Sequence, residues 1–162
     1  MEAARPATTG DRPTIVALAA SAAAELAPTR GGSLWQRRDF RAAPYEASIA
    51  VALTDPAQLV AVGTIDGVVL GYGVVREERL RDEGRLAVVD DLYVEPAARG
   101  VGIGAAIMDL LLAWSGERGC LGIDALALPG NRATKNFFER YGLTARAIVV
   151  HRSFGHPEPS GP

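Results

Sequence analysis

The stretch RGVGIG, residues 99–104, constrains what this chain can fold into more than any other. A glycine inside a helix costs about 1 kcal/mol relative to alanine. Yet Gly100, Gly102 and Gly104 stand between a β-rich run, LAVVDDLYV (86–94), and a run with helical periodicity. That second run places Ile103, Ile107, Leu110, Leu111 and Trp114 on one helical face, a core-facing stripe. A strand-to-helix junction presents unpaired N–H groups and the positive end of a helix dipole, which suits phosphate oxygens. Bare glycines let an anion approach that backbone, and Arg99 adds a positive charge beside it. Tight helix-to-sheet packing is the competing reading, but it does not call for three alternating glycines and an arginine.

Two familiar phosphate fingerprints fail on spacing. A P-loop needs a glycine followed by Lys-Ser or Lys-Thr, and the sole lysine, Lys135, has no glycine before it. A dinucleotide loop needs G-x-G-x-x-G after a first parallel strand, whereas these glycines alternate and follow strands joined by a hairpin. Asp124, 20 residues after Gly104, only mimics the ribose-binding acid of that fold.

The remaining elements fall around this junction. Thr9 or Asp11 can cap a first helix over about 12–26, with Pro13 in its first turn. Residues 2–8 are short and weakly patterned, and residues 28–56 read as two short helices with a flexible joint. Asp66-Gly67 between β-rich runs predicts a two-residue hairpin. A charged turn at 76–85 leads into the strand 86–94. Strands are also predicted at 121–128 and 143–154, with a helix over RATKNFFERYG between them. One domain over residues 2–154 and a disordered tail at 155–162 are expected.

Composition sets the outer bounds. A chain of 162 residues with 48% hydrophobic content can bury one ordinary core. A formal net charge of −2 gives no overall reason to expect nucleic acid or an anionic membrane as partner. The lone Cys120 excludes an internal disulfide or multi-cysteine metal cluster, and reads as a buried spectator thiol in a reducing cytosol. The apolar run 15–27 is interrupted by Glu25 and preceded by Glu2 and Asp11, against an export signal, so a cytoplasmic location is expected. No stretch reaches the 18 or so apolar residues of a membrane span.

DDLYVEPAARGVGIGAAIMDLL resembles the cofactor-binding core of the GNAT superfamily of N-acetyltransferases, whose signature of Arg or Gln, two residues, Gly, one residue, Gly or Ala is met by Arg99, Gly102 and Gly104. NRATKNFFERYGL resembles that family's second motif through Asn131, Thr134, Phe137, Phe138, Gly142 and Leu143. The order of elements agrees from residue 2 to about 154. The resemblance implies an α/β (mixed α+β) fold. Its mostly antiparallel sheet would have six to seven strands, splayed between the fourth and fifth, and be flanked by about four helices. It implies acetyl-CoA in the opening and no metal. The backbone of Leu92, Tyr93 and Val94 would lie along the pantetheine arm. Arg99, Gly100, Val101, Gly102, Ile103, Gly104 and Ala105 would hold the pyrophosphate, with Asn131 and Phe138 also on the cofactor side.

Acetylating an amine requires its neutral form, only about 0.1% of an alkyl ammonium at pH 7, a penalty of roughly 4 kcal/mol. A base must take the proton. Asp90 and Asp91 are adjacent acids in an apolar strand, and strand alternation predicts opposite faces, so that at most one faces the cleft. The resemblance favours Asp90, with Asp91 as the alternative; a backbone N–H at Val94 would meet negative charge on the thioester oxygen. The family's tyrosine acid is replaced by Phe138, leaving Tyr141, Tyr93 or water to protonate the thiolate. Packing is the competing role for each tyrosine. Arg37, Arg38 and Arg41 fall where similar enzymes cap the acceptor side, although a solvated helix face is the simpler reading. His151 is read as a structural strand residue, and His156 lies in the tail. The resulting expectation is an acetyl-CoA-dependent N-acetyltransferase acting on a primary amine of a small molecule or protein, as a homodimer. An acyl-CoA-binding sensor with little or no turnover and a purely structural interaction domain are the alternatives.

Overall fold

Two turn residues in the left-handed region organise the sheet. Asp66 (φ 49°) and Gly67 (φ 83°) form the predicted hairpin between β2 (Gln58–Ile65) and β3 (Val68–Arg79). β3 pairs in turn with β4 (Arg85–Val94), so the charged turn is narrower than predicted. On the other edge lies β1 (Glu2–Pro6), antiparallel to β2 from Glu2↔Ile65 to Pro6↔Ala61. Its mostly exposed residues, Glu-Ala-Ala-Arg-Pro, carry no apolar–polar alternation, so only the partner strand reveals it. The short β5 (Ile123–Ala125) pairs with β4 in parallel, giving the order β1-β2-β3-β4-β5. The computed structural model describes residues 1–155, so most of the expected tail, including His156, lies outside the described residues.

Among the described residues, five α-helices accompany the sheet. α1 (Arg12–Leu26) matches the predicted span, with Pro13 in its first turn. The segment after it forms α2 (Gly32–Leu34), a wider turn at Trp35–Asp39, and α3 (Tyr45–Thr54). α4 (Ile103–Glu117) follows the glycine stretch, and α5 (Arg132–Arg140) follows β5. Ile15, Leu18, Trp35, Phe40 and Ile49 pack with Val60, Val62, Tyr72, Val74 and Tyr93 on one face of the sheet. Ile103, Ile107 and Leu111 of α4 pack with Ala61, Val75, Ala87 and Val89 on the other. Gly63 allows this closeness: a Cβ there would lie 2.4 Å from Ile103 Cγ2.

The architecture is the mixed, mostly antiparallel fold that the resemblance implied, with a smaller sheet. Among the described residues there are five strands rather than six or seven. The predicted strand at 121–128 shrinks to three residues, and 143–154 joins no strand. β4 and β5 pair only from Ala87↔Ile123 to Val89↔Ala125, so β4 beyond Val89 has an open edge. That divergence between fourth and fifth strands is the splay.

Candidate active site

The site is built on a β-bulge. Val74 lies opposite Asp91 and Val75 opposite Val89, which leaves Asp90 as an extra residue in β4. A bulge resets the two-residue period. Ala87 and Val89 therefore face α4, whereas Asp91 and Tyr93 face α1 and α3. Asp90 bonds Arg76, which shares the α1/α3 face with Tyr72 and Val74 of β3. The expectation of opposite faces for Asp90 and Asp91 is thus corrected: the bulge brings both carboxylates to one side.

Their environments differ sharply. Asp91 is buried, with its oxygens accepting from Arg41 Nη2 (2.6 Å), Arg41 Nε (2.7 Å) and the Tyr72 hydroxyl (2.6 Å). The Arg41 side chain is only 8% exposed, which overturns the solvated-face reading for that residue. Arg41 Nη1 also donates to Ser48 Oγ of α3, so Arg41 links the α2–α3 connection to α3 and, through Asp91, to the sheet. Burial, then the Asp91 charge, pushes the Tyr72 phenol well above its usual range. Asp90 is partly exposed and accepts from Arg76 Nε at 3.1 Å. Burial raises its carboxyl above the ordinary carboxylate range, against the pull of Arg76. Asp90, Arg76, Arg41, Ser48 and Gln58 are among the residues lining an open cavity of about 460 Å³.

Next to Asp90 the open edge of β4 begins. Glu95 N–H donates to Leu70 C=O at 2.8 Å, which sets the phase of the ladder. Val94 opposite Gly71 is then a non-hydrogen-bonded pair, so its N–H and C=O point away from β3. Leu92 does the same two residues earlier, while Tyr93 directs its backbone groups to Tyr72. Of the three residues expected along a cofactor arm, two present free-edge backbone.

The glycine loop follows. Gly100 (φ 81°) and Gly102 (φ 100°) hold left-handed backbone, a conformation side chains rarely adopt. Gly104 and Ala105 lie in the first turn of α4, Val101 is half exposed, and Ile103 is buried in the core. A Cβ on Gly104 would make ordinary contacts with Phe137 (3.5 Å) and Val94 (3.8 Å), and one on Gly100 would meet nothing within 4 Å. The loop can therefore fit a pyrophosphate against bare backbone at Gly100 and Gly104, while the Glu2 side chain lies over Gly102, 3.2 Å from where a Cβ would stand. Arg99, however, is not a free charge: it makes a two-pronged ion pair with Glu25 of α1 (2.7 and 2.8 Å) and donates to Val94 C=O at 2.9 Å. That pairing holds Glu25 below the usual carboxylate range.

α5 closes the loop side. Asn131, expected near the cofactor, uses its side-chain oxygen to accept from Thr134 N–H and cap the helix. Phe138 is buried, and the Tyr141 ring packs against Phe137, centroids 5.2 Å apart. Burial, with the Asp109 charge, raises the Tyr141 phenol above its usual range. Elsewhere, His151 is exposed and outside any strand, and Cys120 is half-buried rather than buried, so both earlier readings are corrected. The sequence reading missed Tyr72, Arg76 and Glu25. One signal was available: an acid inside an apolar strand needs a buried partner, and Asp91 finds two.

The family model described as acetyltransferase (GNAT) family matches residues 21–143. An uncharacterized N-acetyltransferase of Mycobacterium tuberculosis is 27% identical over 112 residues, 69% of each chain. The ribosomal-protein-alanine N-acetyltransferase of Brucella melitensis biovar Abortus superposes with a TM-score of 0.70 at 20% identity, covering 96% of this chain and 100% of that one. A structure of AAC(6')-Iy with a CoA-containing bisubstrate analogue gives 0.73 at 14% identity, covering 94% and 97%.

Proposed function

Because the chain belongs to the GNAT family of acetyltransferases, we propose that it moves an acetyl group from acetyl-CoA to a primary amine of a small molecule or protein, with Asp90 as general base. The observation that carries the assignment is the bulge, which sets Asp90 in an open cavity beside the free edge of β4. Asp91 is the weaker base because Arg41 and Tyr72 occupy its carboxylate.

Acetyl-CoA, when bound, supplies an acyl group activated as a thioester. Residues 99–105 and the outward backbone of Leu92 and Val94 would hold it, with Val94 N–H as the donor for developing negative charge. Asp90 accepts a proton from the acceptor ammonium, and its raised affinity for protons suits it to that task. The base form appears as pH rises through that elevated value, so the rate should climb across the same window.

Asp90→Asn should lower turnover by about 10²–10⁴ and flatten the acid limb of the kcat/KM profile, with CoA affinity by calorimetry unchanged. Full activity in that variant would remove Asp90 from the mechanism, and no CoA binding by the unmodified chain would remove the reading altogether. Phe138→Tyr separates enzyme from sensor. An enzyme whose thiolate leaves without help should change by less than about tenfold, whereas a sensor disabled at this position alone should gain about 10² or more.

A further inference from the structure

The cavity beside Asp90 is bordered by three arginine–carboxylate pairs that are not equally complete. Arg41 is taken up by Asp91 and Ser48, and Asp39 is matched by its neighbour Arg38, whose Nε donates to it at 2.8 Å. Arg76 and Asp90 share a single hydrogen bond, from Nε to Oδ1 at 3.1 Å. Among the described residues, no protein group bonds Arg76 Nη1 or Nη2, or Asp90 Oδ2. The two side chains remain 39% and 29% exposed, so a solute can reach both. Arg76 stands opposite Val88 in the ladder, which sets it diagonally across from the bulged Asp90. An ion pair this exposed adds little to stability. What it does provide is two bare donor groups and one bare acceptor, side by side in an open cavity.

We infer that the acceptor is a free α- or β-amino acid, held with its ammonium on Asp90 and its carboxylate on the Arg76 guanidinium. The inference rests on the acetyl transfer proposed above and narrows its acceptor. The two Nη groups of an arginine present parallel N–H bonds that match both oxygens of a carboxylate. Because Asp90 and Arg76 are already in contact, the amine and the anion that bind them must also be close together. A free amino acid meets that condition, with its charges on the same carbon or on neighbouring ones. A lysine side chain or an amino terminus of a protein brings the amine without the adjacent carboxylate, and a diamine sets a second cation against Arg76.

Initial rates with matched acceptors test it: alanine against alaninamide, and β-alanine against β-alaninamide. The unmodified chain should favour at least one acid over its amide by about tenfold or more in kcat/KM, and Arg76→Ala should lower that ratio by about 10–100-fold, as loss of a charge-assisted hydrogen bond would. Removing Arg76 also shifts the Asp90 titration upward, but that acts on acid and amide alike and cancels in the ratio. Arg76→Lys should recover part of the preference as a point charge. Arg76→Gln keeps a donor for Asp90 without the charge and should lose the preference too, so the test does not hang on the alanine variant; CoA affinity by calorimetry reports the folding of each. A second readout needs no turnover: calorimetric titration of the same amino acids into the CoA-saturated chain should show binding that Arg76→Ala weakens at least about tenfold. Acetylation of amides as fast as of acids, or a preference that persists without Arg76, would overturn the amino-acid inference and leave acetyl transfer standing. Arg76-dependent amino-acid binding with no transfer to any amine would uphold the site and remove the reaction. Neither binding nor transfer would sink both.

Discussion

β4 and the segment 143–154 are composed alike, rich in Val, Ile or Leu with an aromatic near the end, yet one is an interior strand and the other lies bare. Val89 in β4 is 6% exposed, and Val149 is 73% exposed. β-propensity measures fit to a pleated, half-buried surface, so it is realised only where neighbouring strands and a covering helix supply one. β4 has β3 along its length, α4 over one face and α1 with α3 over the other. The segment has one ion pair to the edge of β5. Similar local preference therefore yields a core strand in one place and an exposed segment in the other.

The largest stability effect expected is on the buried triad beneath the site. Arg41→Ala leaves the buried Asp91 without its cation, and should cost about 3–5 kcal/mol in urea unfolding. A loss below about 1 kcal/mol would mean that the bulged half of β4 is held by its neighbours alone. Next comes the direct comparison of like residues. Val89→Ala should cost about 2 kcal/mol through lost burial and a small cavity. Val149→Ala should change the stability of the isolated fold by less than about 0.5 kcal/mol. Equal costs would show that the segment is packed in solution. Smallest is Gly104→Ala, where ordinary helical backbone and contacts no closer than 3.5 Å should allow a gain of about 0.5–1 kcal/mol in thermal stability. The same methyl should weaken CoA binding by calorimetry at least about tenfold. Unchanged affinity would assign Gly104 to packing alone. Gly102→Val is a poorer test, because a φ of 100° strains valine whatever binds there.

Much of this site was readable before folding. The spans of α1 and α4, the Asp66-Gly67 turn and the glycine junction rest on residues within a turn or two of one another. The aspartates were found as chemistry-bearing residues, but not their geometry. Strand alternation assumes an unbroken ladder, and the register slip at Asp90 arises between β3 and β4 rather than within either. The role of Arg41 was likewise hidden, because the signal of an arginine in WQRRDFRA is the same whether it points to water or to Asp91, 50 residues away.

By itself the sequence determined the local grammar: which runs can be helix, where the chain must turn, and where backbone is left bare for an anion. Those outcomes depend on φ/ψ preference and side-chain spacing, which are properties of neighbours. Tertiary structure alone decided that Asp90 and Asp91 share a face, and that Arg99 is paired with Glu25 across 74 residues. It also left 143–154 without a strand partner. These depend on which surfaces meet. The free energy of burying a charge, pairing an edge or covering an apolar face resides in the partner, which no local pattern contains.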